Sequence, residues 1–129
     1  MKTRAYVASD FEHIQQLNRE EGWTQLVEQG ELTREAWRQS NVTYVMESDN
    51  GEIVAYLRGL TDTTVSLYVC ELLVASAYRK RGFGEQLLQH VHGLYPDTRL
   101  EMLASQASHT YYERLRFRPF YGFRKTIHE

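Results

Sequence analysis

Apolar residues recur along this chain at two spacings, and each change of spacing falls at a turn. Thr3 to Ala8 reads as a short first strand. Phe11, Ile14 and Leu17 then share one helical face, and Ser9 with Glu12 has capping-box spacing. A loop centred on Gly22-Trp23 precedes a second helix. For that helix Thr33 is the predicted N-cap, and Leu32 with Trp37 has the spacing of a hydrophobic staple. Val42 to Glu47 and Glu52 to Leu60 read as strands around Asp49-Asn50-Gly51, a strong hairpin turn. Thr61 to Thr64 is a further turn, and Val65 to Val74 is the longest β-rich run. Leu87, Leu88, Val91, Leu94 and Tyr95 then fall at helical spacing until Pro96 closes the helix. Thr98 to Ala104 alternates like a strand. A short helix carries Tyr111, Tyr112 and Leu115, and Phe117 to Ile127 is predicted as an aromatic-rich final strand.

The order β, α, α, β, β, β, α, β, α, β predicts an α/β (α+β) fold with about four helices. Its sheet is mixed and mostly antiparallel, with Val65–Val74 and Thr98–Ala104 as a helix-linked parallel pair. The 129 residues predict one domain, 1–129, with a core that needs no staples. Cys70 is the only cysteine, which excludes a disulfide framework and a multi-cysteine metal site. The five histidines are scattered, so no metal is expected. A net charge of −2 argues against a general polyanion binder such as a nucleic-acid protein. No apolar run approaches the ~20 residues of a membrane span, and Met1 to His13 has no continuous apolar stretch. A soluble, cytoplasmic protein with no membrane partner is expected.

Against that acidic balance, Arg79-Lys80-Arg81-Gly82-Phe83-Gly84 packs three cations and two glycines between a long strand and an amphipathic helix. A helix starting there exposes unpaired N–H groups and the positive end of its dipole. Glycines let the backbone bend tightly and approach a ligand, and successive N–H groups form an anion-binding concavity. A phosphate or pyrophosphate is the natural guest. A solvated basic turn is the alternative. The spacing is neither a P-loop nor a Rossmann turn.

Glu71-Leu72-Leu73-Val74-Ala75-Ser76-Ala77-Tyr78 followed by RKRGFG and EQLL resembles the signature of the GNAT superfamily of acyl-CoA N-acyltransferases, Q/R-x-x-G-x-G/A after a strand. Tyr111-Tyr112-Glu113-Arg114-Leu115-Arg116-Phe117 resembles the family's F-Y-x-x-L-G-F segment. Ser105 and Ser108 stand where the family often has Asn and Ala, and Arg116 stands where it has Gly. The resemblance implies acetyl-CoA as cofactor, with its pyrophosphate on Arg79, Lys80, Arg81, Gly82, Phe83, Gly84 and Glu85. It implies pantetheine paired with the backbone of Leu72, Leu73 and Val74, where the parallel strands splay, and a contact at Ser105. The reaction implied is direct attack of a primary amine on the thioester.

Such an attack needs an amine freed of its proton and a donor for the departing thiolate. The resemblance assigns the donor to Tyr112, whose other reading is a core aromatic. Glu71, an acid in an apolar run, suits a base acting through water; otherwise it faces solvent or pairs with Arg58. Glu20, Glu21 and Asp62 are weaker acidic candidates near a cationic acceptor. Trp23 and Trp37 are either acceptor walls or helix-packing residues. A small-molecule amine is the expected acceptor, with a protein N-terminus or lysine as alternative. A non-catalytic acyl-CoA-binding module stays open, as does a purely structural domain. Homodimers are common in the family, which the resemblance carries over as an expectation.

Overall fold

The computed structural model describes all 129 residues. Its strands are β1 (Lys2–Ala5), β2 (Val42–Glu47), β3 (Ile53–Thr61), β4 (Ser66–Val74) and β5 (Arg99–Met102). Its helices are α1 (Phe11–Glu21), α2 (Thr24–Glu28), α3 (Gly30–Gln39), α4 (Phe83–Leu94) and α5 (His109–Arg114). One sheet runs β1-β2-β3-β4-β5, antiparallel except for the parallel pair β4–β5. The predicted sheet and its parallel pair are therefore present. No helix is long and apolar enough to cross a membrane.

Strand alternation sends two sets of side chains to two faces. Val42, Ala55, Leu57, Leu67 and Val69 meet Leu87, Leu88 and Val91 of α4. Val45, Tyr56 and Leu73 meet Phe11, Ile14 and Leu17 of α1 and Trp37 of α3. Trp37 is only 2% exposed and packs edge-on against Tyr56, so it is core rather than an acceptor wall. Beneath it runs a buried polar chain: Tyr56 donates to Asn18, Asn18 to Gln15, and Gln15 to the Leu26 carbonyl at 3.0 Å. Every member is satisfied, which the low-dielectric interior demands.

Four local expectations are corrected. Asp10, not Ser9, organises the start of α1: it accepts the Val7 N–H at 2.9 Å and holds Arg4 through both oxygens, each 2.9 Å away. Thr33 is not an N-cap; it sits inside α3, and its hydroxyl donates back to the Gln29 and Leu26 carbonyls. Leu32 is exposed and staples nothing. Phe117 to Ile127 forms no strand. Its aromatic alternation is genuine, but β5 pairs over only four residues, and Phe120, Tyr121, Phe123 and Ile127 stay exposed. Strand propensity without a ladder partner does not make a strand.

Candidate functional site

One inserted residue shapes the site. Below it, Gly59 pairs with Val69; above it, Arg58 pairs with Glu71, leaving Cys70 extra. That is a β-bulge, and it shifts the side-to-side alternation of β4 by one. Val65 accepts from Arg99 on the β5 side, and Ser66 accepts from Asp62 on the β3 side. Beyond the bulge Ala75 donates to Val54 on the β3 side, so Glu71 and Leu73 also face β3. The peptide groups of Leu72 and Val74 therefore face away from β3. No strand meets them, because β5 pairs only from Ser66 to Val69 and ends at Met102. The pairing of β4 with β5 thus stops at Val69, in line with the splay that the resemblance implies, and Leu72 and Val74 lie on the open edge. Leu73 belongs to the α1-side core instead.

The strand runs into the basic turn. Lys80 and Gly82 both adopt left-handed backbone, φ +65° and +82°. α4 begins at Phe83, and its first backbone bond is Gln86 N–H to Gly82 carbonyl at 3.0 Å. Every peptide N–H from Lys80 through Glu85 lacks an acceptor in the chain. These run of donors sits at the positive end of a 12-residue helix. A Cβ on Gly82 would meet open space, so nothing obstructs the bend. Gly84 differs: a Cβ there would collide with the Tyr111 hydroxyl. The second glycine of the motif makes room for this chain's own tyrosine rather than for a bound group.

The three cations separate. Lys80 and Arg81 are exposed at the turn, with the Arg81 guanidinium 5.4 Å from the Tyr78 ring centre. Arg79 turns away: Nε donates to the Val74 carbonyl at 2.9 Å, and Nη2 pairs with Glu21 at the end of α1. It straps α1 to the strand end, which also occupies Glu21. Phe83 packs near Tyr78 and on the edge of the α4-side core. The Glu85 carboxylate accepts from Gln89 at 3.0 Å, leaving its N–H as the group aimed at the turn.

Glu71 is not a free carboxylate. Arg58 Nε and Nη2 donate to its two oxygens at 2.7 and 2.6 Å, and both side chains are 16% exposed. This fork-to-fork pair raises the Arg58 pKa still further, and Arg58 Nη1 also donates to Ser40 at 3.0 Å. The pairing with Arg58, one alternative of the sequence reading, is present, and it engages both oxygens of the carboxylate proposed as a base. Cys70 beside it is half-buried, and burial pushes its thiol up. Asp62 lies in the β3–β4 turn, where N–H groups of Thr64, Val65 and Ser66 hold its carboxyl down to about 2. Glu20 is exposed and accepts from Gln16 at 3.0 Å, and Trp23 sits partly buried against the α1-side core.

Tyr112 is held by the end of its own helix. Phe117 N–H donates to the Tyr112 carbonyl at 3.1 Å, and Arg116 N–H to Glu113 at 3.0 Å. This is a Schellman cap, and its usual apolar contact is the Tyr112–Phe117 ring pair at 5.6 Å. The left-handed position belongs to Arg116, φ +71°, so the turn survives the departure from Gly at a strain of about 1–2 kcal/mol. Burial, then the neighbouring Tyr111, pushes the Tyr112 phenol up to about 12. Tyr111 is raised by burial and by Glu85. Ser105 is exposed and spends its peptide N–H on Ser108 Oγ at 2.9 Å, building the turn into α5. The Tyr111 contact and the Arg79 strap were not read from sequence; both depend on elements distant along the chain.

A broad cavity of about 1210 Å³ is lined by β5, α5 and the C-terminal segment, with Tyr112 and Ser105 in its wall.

No curated protein matches the chain. Solved structures share its fold. A GNAT-family acetyltransferase of Streptococcus pneumoniae TIGR4 is similar at TM-score 0.79 and 20% identity, covering 99% of this chain and 97% of that one. A Trypanosoma brucei acetyltransferase gives 0.67 and 20%, covering 97% of each. Chaetomium thermophilum Naa20, solved with a bisubstrate analogue, gives 0.64 and 14%, covering 90% of this chain and 68% of that one. A family model for the acetyltransferase (GNAT) domain matches residues 39–119, from the end of α3 through the bulged strand, the basic turn and the Tyr112 cap. That match spans more than half of the chain, and the chain belongs to the GNAT acetyltransferases.

Proposed function

We propose that this protein transfers an acetyl group from acetyl-CoA to the primary amine of a small molecule. The observation that carries the reading is the unbroken row of unpaired N–H groups from Lys80 to Glu85 at the start of α4. Peptide donors in that arrangement suit a diphosphate, and Lys80 and Arg81 add charge beside them. The open edge at Leu72 and Val74 suits pantetheine amides in the manner of an added strand. Arg79 serves as a strap on Glu21 and Val74 rather than as a phosphate ligand.

Acetyl-CoA supplies an activated acyl group. In the transfer the N–C bond forms, the C–S bond breaks, one proton leaves the nitrogen and one reaches the sulfur. Tyr112 donates to the sulfur. With its pKa near 12 it stays neutral at every working pH. Full transfer to a thiolate of pKa about 8.5 is uphill, so the phenol acts first as a hydrogen-bond donor to developing charge. The attacking nitrogen, made acidic once bonded to carbon, replaces the proton. Glu71, locked on Arg58, fixes the bulge that exposes the edge, and the acceptor enters as its free amine. The rate therefore rises with pH through the amine's own pKa.

Calorimetry with acetyl-CoA and thiol release against a panel of amines test the reading. Gly82→Val should abolish cofactor binding, because a β-branched residue is strained at φ +82°. Tyr112→Phe should lower kcat about 100-fold while leaving acetyl-CoA affinity intact. Thiol release at the wild-type rate from Tyr112→Phe ends the donor assignment, and undiminished cofactor affinity in Gly82→Val ends the turn assignment.

A further inference from the structure

Arginines in this chain divide by whether a carboxylate meets them. Arg4, Arg34, Arg38, Arg58 and Arg79 each pair with an acid. Six others, Arg81, Arg99, Arg114, Arg116, Arg118 and Arg124, make no side-chain hydrogen bond and no ion pair, and four of these six, Arg99, Arg116, Arg118 and Arg124, line the 1210 Å³ cavity beside β5. Its wall holds two carboxylates, Glu101 and Glu113, and Glu113 already faces His109 at 3.0 Å. The asymmetry extends along the chain. Residues 1–99 carry 10 Lys/Arg against 14 Asp/Glu, a balance of −4; residues 100–129 carry 5 against 3, a balance of +2. Positive charge gathers at this cavity against the sign of the whole molecule.

Aromatic surface lies among those guanidinium groups. Phe120 and Phe123 are 82% and 94% exposed, and both are in the wall. Free guanidinium forks suit a carboxylate, and flat apolar surface suits a ring or hydrocarbon body. Tyr112 is in the same wall, which puts the cavity beside the residue assigned to the leaving sulfur. We infer that this cavity is the acceptor site and selects amines that carry a carboxylate beside an aromatic or apolar body. The identity of the reacting amine rests on the proposed acetyl transfer; the preference for an anion does not.

The two are separated by measuring binding without acetyl-CoA. The probe is 3-phenylpropionate, titrated by NMR against 3-phenylpropionamide and 2-phenylethylamine. The carboxylate should bind about tenfold tighter than either, and rising salt should weaken it. Arg118→Ala with Arg124→Ala should erase the difference; both sites are exposed, so the melting temperature should hold. Arg118→Lys should keep the charge but lose part of the gain, since it lacks the fork. With acetyl-CoA added, free L-phenylalanine should show a KM about tenfold below that of 2-phenylethylamine, and the double variant should raise that KM without changing kcat. Equal binding of the three probes, tighter binding of the cation, or an unaffected double variant overturns the inference. Arginine-dependent binding of 3-phenylpropionate without thiol release would sink the transfer reading and leave the anion site standing.

Discussion

The two halves of β4 carry similar residues and do opposite work. Ser66 to Val69 lies between β3 and β5, with both backbone edges occupied. Cys70 to Val74 has β3 on one side and no strand on the other. Composition does not separate them, since both halves are rich in Leu and Val. One extra residue at the bulge does. Below it the strand is core structure; above it the same kind of strand keeps the Leu72 peptide group and the Val74 N–H available. Stability and binding should therefore respond separately to changes only a few residues apart.

Leu67→Ala strikes the paired half at a fully buried side chain and should cost about 3 kcal/mol in urea unfolding, while the folded fraction keeps its acetyl-CoA affinity. Leu72→Pro removes a donor that faces no strand. It should weaken acetyl-CoA about tenfold and cost only the partial packing of the Leu72 side chain, so that the domain still folds, whereas Leu73→Pro breaks a β3 ladder bond and should unfold the domain. Equal destabilisation by the two prolines would mean that the alternation does not flip at Cys70. Arg116→Gly relieves a left-handed arginine and should gain about 1 kcal/mol of stability. The smallest effect belongs to Asp62, which ties down the turn leading into the paired half. Its lowered pKa stabilises the fold above about pH 4, and that contribution fades as pH falls through about 2. Asp62→Asn should flatten this part of the stability-against-pH curve.

Elements whose signal is local were legible in the sequence. Asp49-Asn50-Gly51 marks the β2–β3 turn, the apolar spacing from Leu87 to Val91 marks α4, and the basic hexapeptide marks the turn that leads into it. Features decided by distant partners were not. Thr33 has the chemistry of an N-cap, but Gln29 and Leu26 present carbonyls that take its hydroxyl into the helix. Phe117 to Ile127 has the alternation of a strand, and a four-residue β5 gives it no ladder. Arg79 looks like a phosphate ligand until Glu21, 58 residues away in sequence, claims it. For Glu71 the decisive partner, Arg58, was named from sequence as an alternative; only the fold brings two donors to its two oxygens.

The strap from Arg79 has a practical corollary for ligand chemistry. Because its Nε already satisfies the Val74 carbonyl, a cofactor mimic gains nothing from a hydrogen donor placed opposite that atom. Analogues should place an acceptor there for the Val74 N–H, and reserve paired donor and acceptor groups for Leu72.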